Sequence, residues 1–441
     1  MTAKILLIVA LLCPAASHAQ EAQTLNLEVC LKIALEHNAD LIGSGLDEER
    51  SKVDLRSSLG PFLPSLNSQF SVNMQDEARY ITSETRGPVR TKKNYRFDLS
   101  ANYSLFNGFG DRASYRASQR IQKSRQLTHE RTREDIALLV IQRYLACLKA
   151  DQFVRISRDA LQRSKAQLEK MEAMLEVGTV PRADVMKQKV QFGNDRLSLI
   201  QSQIESERAR TDLFSVLGID GVPETARLEE VTIDTSGTTI PFDEALRSAR
   251  THRKDLASLD QLSEAAVEQH KAARSGLFPS LSASASYGFS DVALPRSLAD
   301  VDKIDGASYG LTLRIPIFNR LQTRSQIEQA DIALRQRQEQ QKSAQLEIAL
   351  EIRNALNEIV ATKEHIAAAR ENLGATQEDL RLAEENYRLG AGILLDRIIA
   401  SVQLAQAEAN HVDALYNYML GKARLKKAMG VLIESEYDNE E

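Results

Sequence analysis

Two aspartates stand in matching surroundings. Asp184 lies six residues after Gly178 in LEVGTVPRADV, and Asp396 lies six residues after Gly390 in YRLGAGILLDR. Each glycine closes a long stretch with few breakers, so it reads as a helix C-cap wanting positive φ. Each aspartate then falls in the first turns of a returning helix. There a carboxylate complements the helix dipole, worth about 0.3–1 kcal/mol. In a symmetric oligomer the same residues would also gather about an axis, and a ring of carboxylates in a pore attracts cations. The chain spells out little other chemistry. It has no Gly-rich phosphate loop, no HExxH, no Cys-x-x-Cys and no GxSxG. His18, His37, His129, His252, His270, His365 and His411 are scattered without metal-ligand spacing, and so are the methionines. Neither an enzyme nor a cofactor or metal site is expected.

The elements that must position these aspartates are long helices. No Gly or Pro falls between Gly110 and Gly178, a run that could reach roughly 100 Å as a helix. The second such run, Asn319 to Leu389, is interrupted only by Gly374. Val154, Leu161, Leu168 and Leu175 are spaced by seven, as are Ile366, Leu373, Leu380 and Tyr387. That spacing predicts paired helices with coiled-coil packing.

Strands of about ten residues precede each helical run. In GPFLPSLNSQFSVN, Leu66, Ser68, Phe70, Val72 and Met74 share one face, opposite Asn67, Gln69, Ser71 and Asn73. Three more stretches alternate in the same way: Tyr95 to Leu105, Leu281 to Phe289 and Tyr309 to Ile317. A half-buried soluble sheet would need an apolar lid, and the flanking helices are too polar to give one. The pattern fits a barrel wall with lipid outside and water inside. Four strands cannot close alone, since such barrels need about eight or more. Open edges in lipid cost several kcal/mol per unpaired group. Oligomerisation follows, and the small inward Ser, Asn, Gly and Thr favour a wide trimeric bore over a filled dimeric one.

The net charge of −5 gives no support to nucleic-acid binding. Lys4, the run ILLIVALLC and Ser17-His18-Ala19 read as a signal peptide cleaved before Gln20. Leu12 before Cys13 argues against lipidation. Cys30 and Cys147 alone remain, so disulfides do not organise the fold.

The chain is internally duplicated. Leu31, Ala34, His37, Asp40 and Pro64 recur 215 residues later as Leu246, Ala249, His252, Asp255 and Pro279. Phe106, Asn107, Gly178, Asp184 and Gly218 recur 212 residues later as Phe318, Asn319, Gly390, Asp396 and Gly430. The expected organisation is a signal peptide (1–19), repeat one (20–220), a linker (221–238), repeat two (239–432) and an acidic tail (433–441). Repeat one has a β-hairpin at about 64–106 and a helical hairpin at 111–217. Repeat two has them at about 279–317 and 319–430.

This arrangement resembles the TolC-like outer-membrane efflux protein family across nearly the whole mature chain. The resemblance rests on the duplication, the FLPSL and LFPSL strand starts, the passages SLFNGFGDR and IPIFNRLQT, and the paired turns VGTVPRAD and LGAGILLD. It implies a mostly α fold with a small β part. Three chains would form a 12-stranded outer-membrane β-barrel continued by a periplasmic α-helical barrel. It implies a passive export duct of a tripartite efflux pump or type I secretion system, with a periplasmic adaptor and an inner-membrane transporter as partners. The turns would form an adaptor-docking tip of Gly178, Thr179, Val180, Pro181, Gly390, Ala391 and Gly392. Family members close that tip with an Asp against a Tyr and an Arg. Asp184 and Tyr387 match the first two. Gly392 occupies the Arg position, leaving Arg388 or Arg397 as stand-ins. Asp396 matches one acidic ring, and Ile399 replaces the other. The alternative is a periplasm-spanning coiled-coil scaffold without a pore.

Overall fold

The structure, a computed structural model, describes residues 24–83, 87–221, 227–231, 240–292 and 305–433. The expected signal peptide (1–19), most of the 221–238 joint and residues 434–441 lie outside the described residues. The chain forms two compact units. One takes the described parts of 1–38, 137–238 and 359–421; the other takes 39–136, 239–358 and 422–441. No helix among the described residues is long and apolar enough to cross a membrane.

The second unit contains a four-stranded antiparallel sheet of β2 (Ser65–Ser83), β3 (Gly87–Phe106), β5 (Ser280–Asp291) and β6 (Asp305–Arg314), in that order. Its register sorts the side chains into uniform rows. Phe70, Phe97 and Phe289 form one row, and Leu66, Ala101, Ala285 and Tyr309 another. Asn67, Ser100, Ser286 and Ser308 form a row on the opposite face. The Phe97 and Phe289 rings stack at 5.9 Å, and the Ser286 and Ser308 hydroxyls meet at 2.9 Å. Most of the large apolar side chains on the apolar face stay exposed, with Leu311 at 72% and Tyr309 at 83%.

Two expectations about strand length need correction. β2 and β3 have 19 and 20 residues rather than about ten. Beyond Met74 the pair continues through a bulge between Met74 and Arg79 as a two-stranded ribbon. That stretch, QDEAR, is charged and does not alternate, so the apolar period gave no sign of it. Conversely, β6 stops at Arg314, before Ile315 and Ile317. Pro316 has no N–H to give a ladder, and Ile317 is 94% exposed.

Two long helices follow the hairpins: α3 (Gly110–Glu176) and α7 (Gln322–Leu389). Each starts from an asparagine cap. Asn107 Oδ1 accepts from Asp111 N at 3.4 Å, and Asn319 Oδ1 accepts from Thr323 N at 3.5 Å. Both passages turn through two consecutive left-handed residues, Gly108–Phe109 and Arg320–Leu321. Repeat two places an arginine where repeat one has glycine, and a non-glycine residue there is strained by about 1–2 kcal/mol. Arg320→Gly should therefore stabilise the protein by up to about 1 kcal/mol in denaturant unfolding. A loss of stability would show that Arg320 holds a contact worth more than the strain.

The first unit is built on α1 (Leu27–His37), the distal part of α3, α4 (Arg182–Leu217), the distal part of α7 and the first part of α8 (Leu394–Met429). Its core includes Cys30, Val140, Tyr144, Cys147, Met171, Leu213 and Leu217. Within the joint, β4 (Arg227–Leu228) pairs in parallel with β1 (Thr24–Leu25). Two-residue strands carry no readable period, which explains why the joint read only as a linker. Tyr144 secures this pair: its hydroxyl donates to the Glu229 carbonyl at 2.7 Å, with the Leu25 carbonyl at 3.1 Å. Cys30 and Cys147 are free and buried. Burial pushes the Cys30 thiol up to about 11 and the Cys147 thiol up to about 12, so neither is a thiolate near neutral pH.

The remaining helices, α2 (Ala39–Ser57), α5 (Phe242–His252) and α6 (Lys254–Ser275), lie in the second unit.

Candidate functional site

In the first unit α3 turns into α4, and α7 into α8, through one motif. Gly178 and Gly390 have φ of 75° and 74°. Thr179 N donates to Met174 O at 2.9 Å and Gly178 N to Leu175 O at 3.0 Å. Ala391 N donates to Asn386 O at 2.9 Å and Gly390 N to Tyr387 O at 3.2 Å. These are Schellman closures, which satisfy the last carbonyls of each helix and require a left-handed residue. Thr179, Pro181 and Ala391 remain exposed, while Val180 and Gly392 are half-buried.

Behind the turns Leu168 and Met171 of α3, Val185 of α4 and Leu394 of α8 form an apolar cluster. Tyr387 of α7 and Ile398 pack on it. The two helical hairpins are thus joined through shared apolar contacts. Tyr387 is brought close to two charges. Burial raises its hydroxyl pKa, the Asp184 carboxylate raises it further, and Arg397 opposes both. No hydrogen bond joins Tyr387 to Asp184 among the described residues; Asp184 instead accepts from Lys187 Nζ at 3.1 Å. Asp396 is exposed in the first turn of α8.

The two candidate stand-ins for the missing arginine are placed very differently. Arg388 is exposed, and its partner is Glu385 at 4.0 Å on its own helix. Arg397 is only 9% exposed. Its Nη2 donates to Gln188 Oε1 at 3.3 Å, and Gln188 Nε2 donates to the Ser164 carbonyl at 3.0 Å. Gln188 was not singled out from the sequence. The signal for it is a polar row spaced by seven: Gln188, Asp195 and Ser202. This row faces polar positions on α3. Ser202 meets Ser157 at 2.9 Å, and Asp195 accepts from Gln191 Nε2 at 2.8 Å. Burial raises the Asp195 carboxyl pKa, offset in part by Ser164 and Gln191.

No group of three or more His, Cys, Asp or Glu among the described residues could hold a metal ion. In the second unit, the two-faced sheet supplies a different kind of site. One face is apolar and exposed, the other is small and polar, and the outer edges of β2 and β6 pair with nothing among the described residues. That combination suits a wall segment between lipid and water.

Comparison with known proteins agrees with this geometry. The chain matches the outer membrane efflux protein family over residues 30–219 and again over 245–431. It is 23% identical to the outer membrane protein TolC of Escherichia coli over 430 residues, covering 94% of this chain and 84% of TolC. The outer membrane protein VceC of Vibrio cholerae shares the fold with a TM-score of 0.78 at 17% identity, covering 92% of this chain and 96% of VceC. The open-state MtrE outer membrane channel of Neisseria gonorrhoeae aligns with a TM-score of 0.72 at 19% identity, covering 92% and 89%. With both repeats matched, the chain belongs to the outer membrane efflux protein family and is an outer-membrane channel for efflux pumps.

Proposed function

We propose that three copies of this chain close a twelve-stranded barrel and form a passive export duct, gated at the helical turns of the first unit. The carrying observation is the four-stranded sheet with its exposed apolar face and two edges unpaired among the described residues. Open edges are not tolerated in lipid, and three sheets joined edge to edge remove them all. Exposed apolar stripes on the helices support the same assembly. Met186, Val190, Leu197, Ile200 and Ile204 line one face of α4, and Leu395, Ile399 and Val402 line one face of α8. The test is the mass of the complex extracted in mild detergent, corrected for bound detergent. Three chains support the duct. A monomer that stays soluble without detergent would instead favour a coiled-coil scaffold.

The gate is assigned to Asp184, Tyr387 and Asp396; Arg388, exposed and beside Glu385 on its own helix, is not part of it. The turns, Gly178 to Pro181 and Gly390 to Gly392, are assigned to docking of a periplasmic adaptor, which couples the duct to an inner-membrane transporter. An adaptor binding the open state better than the closed one would shift the gate towards opening. Asp184→Ala and Tyr387→Phe should each raise the conductance of the isolated channel in a planar bilayer. Unchanged conductance in both would remove these two residues from the gate.

A further inference from the structure

Arg397 is held in three unfavourable ways at once. It is a buried guanidinium, and no carboxylate among the described residues pairs with it. Its Nε is buried without a hydrogen-bond partner, and its bond to Gln188 at 3.3 Å is long. It also sits at the end of the first turn of α8, where the helix dipole repels a cation. Burial pulls its pKa down, and Glu384 and Tyr387 only partly counter this. The nearby acids are otherwise placed: Asp184 is bound to Lys187, and Glu384 is exposed. Leu394, three residues before Arg397, belongs to the apolar cluster with Leu168, Met171 and Val185, and Ile398, the next residue, packs on that cluster, a setting that suits an aliphatic side chain.

We propose that Arg397 is the opening element of the tip, a buried cation with no salt-bridge partner among the described residues that keeps the two helical hairpins from locking together. The inference rests on the gated-duct reading above. The apolar cluster draws the hairpins together, while Arg397 opposes that packing and regains water when they part. Gln188 moderates the opposition by giving the guanidinium its single buried acceptor. Arg397 thus acts as a positioning residue, setting the balance between packed and parted hairpins without touching what passes through.

The test is a pair of variants in single-channel recordings. Gln188→Leu leaves the cation with no acceptor and should raise open probability about tenfold. Adding Arg397→Leu removes the cation and fills its place, and should bring open probability below wild type by a similar factor. Loss of folding alone cannot produce this reversal of sign. Hydrogen exchange of the Leu394–Ala400 amides should follow the same order, faster in the single variant and slower in the double. If the double variant is as open as wild type or more so, Arg397 does not oppose closure and the inference fails. If wild type forms no channels at all, the gated-duct reading fails with it.

Discussion

Leu311→Arg should nearly abolish recovery of the assembled protein from outer membranes, while Thr312→Arg on the next residue should leave recovery close to normal. Leu311 lies near the middle of β6 and is 72% exposed in the chain. The substitution therefore breaks little packing within the chain, and for a soluble domain the change would fall within about 0.5 kcal/mol. A lipid-facing position behaves differently: arginine near the bilayer midplane costs about 2–4 kcal/mol. Row assignment gives the control. Leu311 shares its face with Ala283 and Tyr103, whereas Thr312 shares the other with Ser282 and Ser104. A charge at Thr312 projects toward water and should alter conductance and ion selectivity rather than assembly. The measurement is the yield of detergent-extracted oligomer for the two variants side by side. Equal recovery of both would show that the two faces meet the same solvent and would remove the membrane-wall reading of the sheet.

The sheet was legible because its information is local. A period of two with apolar and small polar residues on alternate positions places Leu66, Phe70, Phe97 and Phe289 on one face before any pairing is known. The extra length of β2 and β3 was not legible, because QDEAR carries no alternation and interrupts the register, which resumes only where Arg79 pairs with Thr91. The turns were legible in Gly178 and Gly390, where backbone geometry dictates residue type. The surroundings of Arg397 were not. An arginine on a polar helix reads as solvent-facing, and its burial depends on Gln188, 209 residues away in the chain. The contrast between Arg388 and Arg397 is likewise one of packing. Both are arginines within ten residues of Gly390, and only their positions on successive helices decide which is buried.

Arg253→Met should lower stability by about 3 kcal/mol, whereas Asn38→Ala, at the equivalent place in repeat one, should cost about 1 kcal/mol. The two residues occupy the same joint, between the first and second helices of each repeat. Asn38 Nδ2 donates to the Val216 carbonyl at 2.8 Å, and Arg253 Nη1 donates to the Ala428 carbonyl at 3.2 Å. Each bond satisfies a carbonyl near the end of its repeat's last helix, so duplication has preserved a cap while changing the residue that makes it. In repeat two the arginine does more. It is almost fully buried and binds Asp255 through two bonds, at 2.6 and 3.0 Å, and Glu351 at 2.5 Å. Methionine retains volume but leaves two carboxylates without their shared cation. Glu351 and Asp255 are partly exposed and can take up water, which holds the loss at the lower end for broken buried pairs. The acid side supplies an independent check. Burial alone would raise the Asp255 pKa, but the hydrogen bonds and charge of Arg253 outweigh it and hold the carboxyl below its ordinary value. The folded pKa is then below the unfolded one, near 3.9. The stability Asp255 contributes is present above that value and lost as pH falls through the folded pKa. Glu134 works in the opposite sense, since burial raises its pKa, but it remains in both proteins. The difference in unfolding midpoint between wild type and Arg253→Met should accordingly be largest near neutral pH and shrink below about pH 4. A difference that stayed constant into acid would mean that Arg253 stabilises the repeat through the Ala428 carbonyl and packing alone.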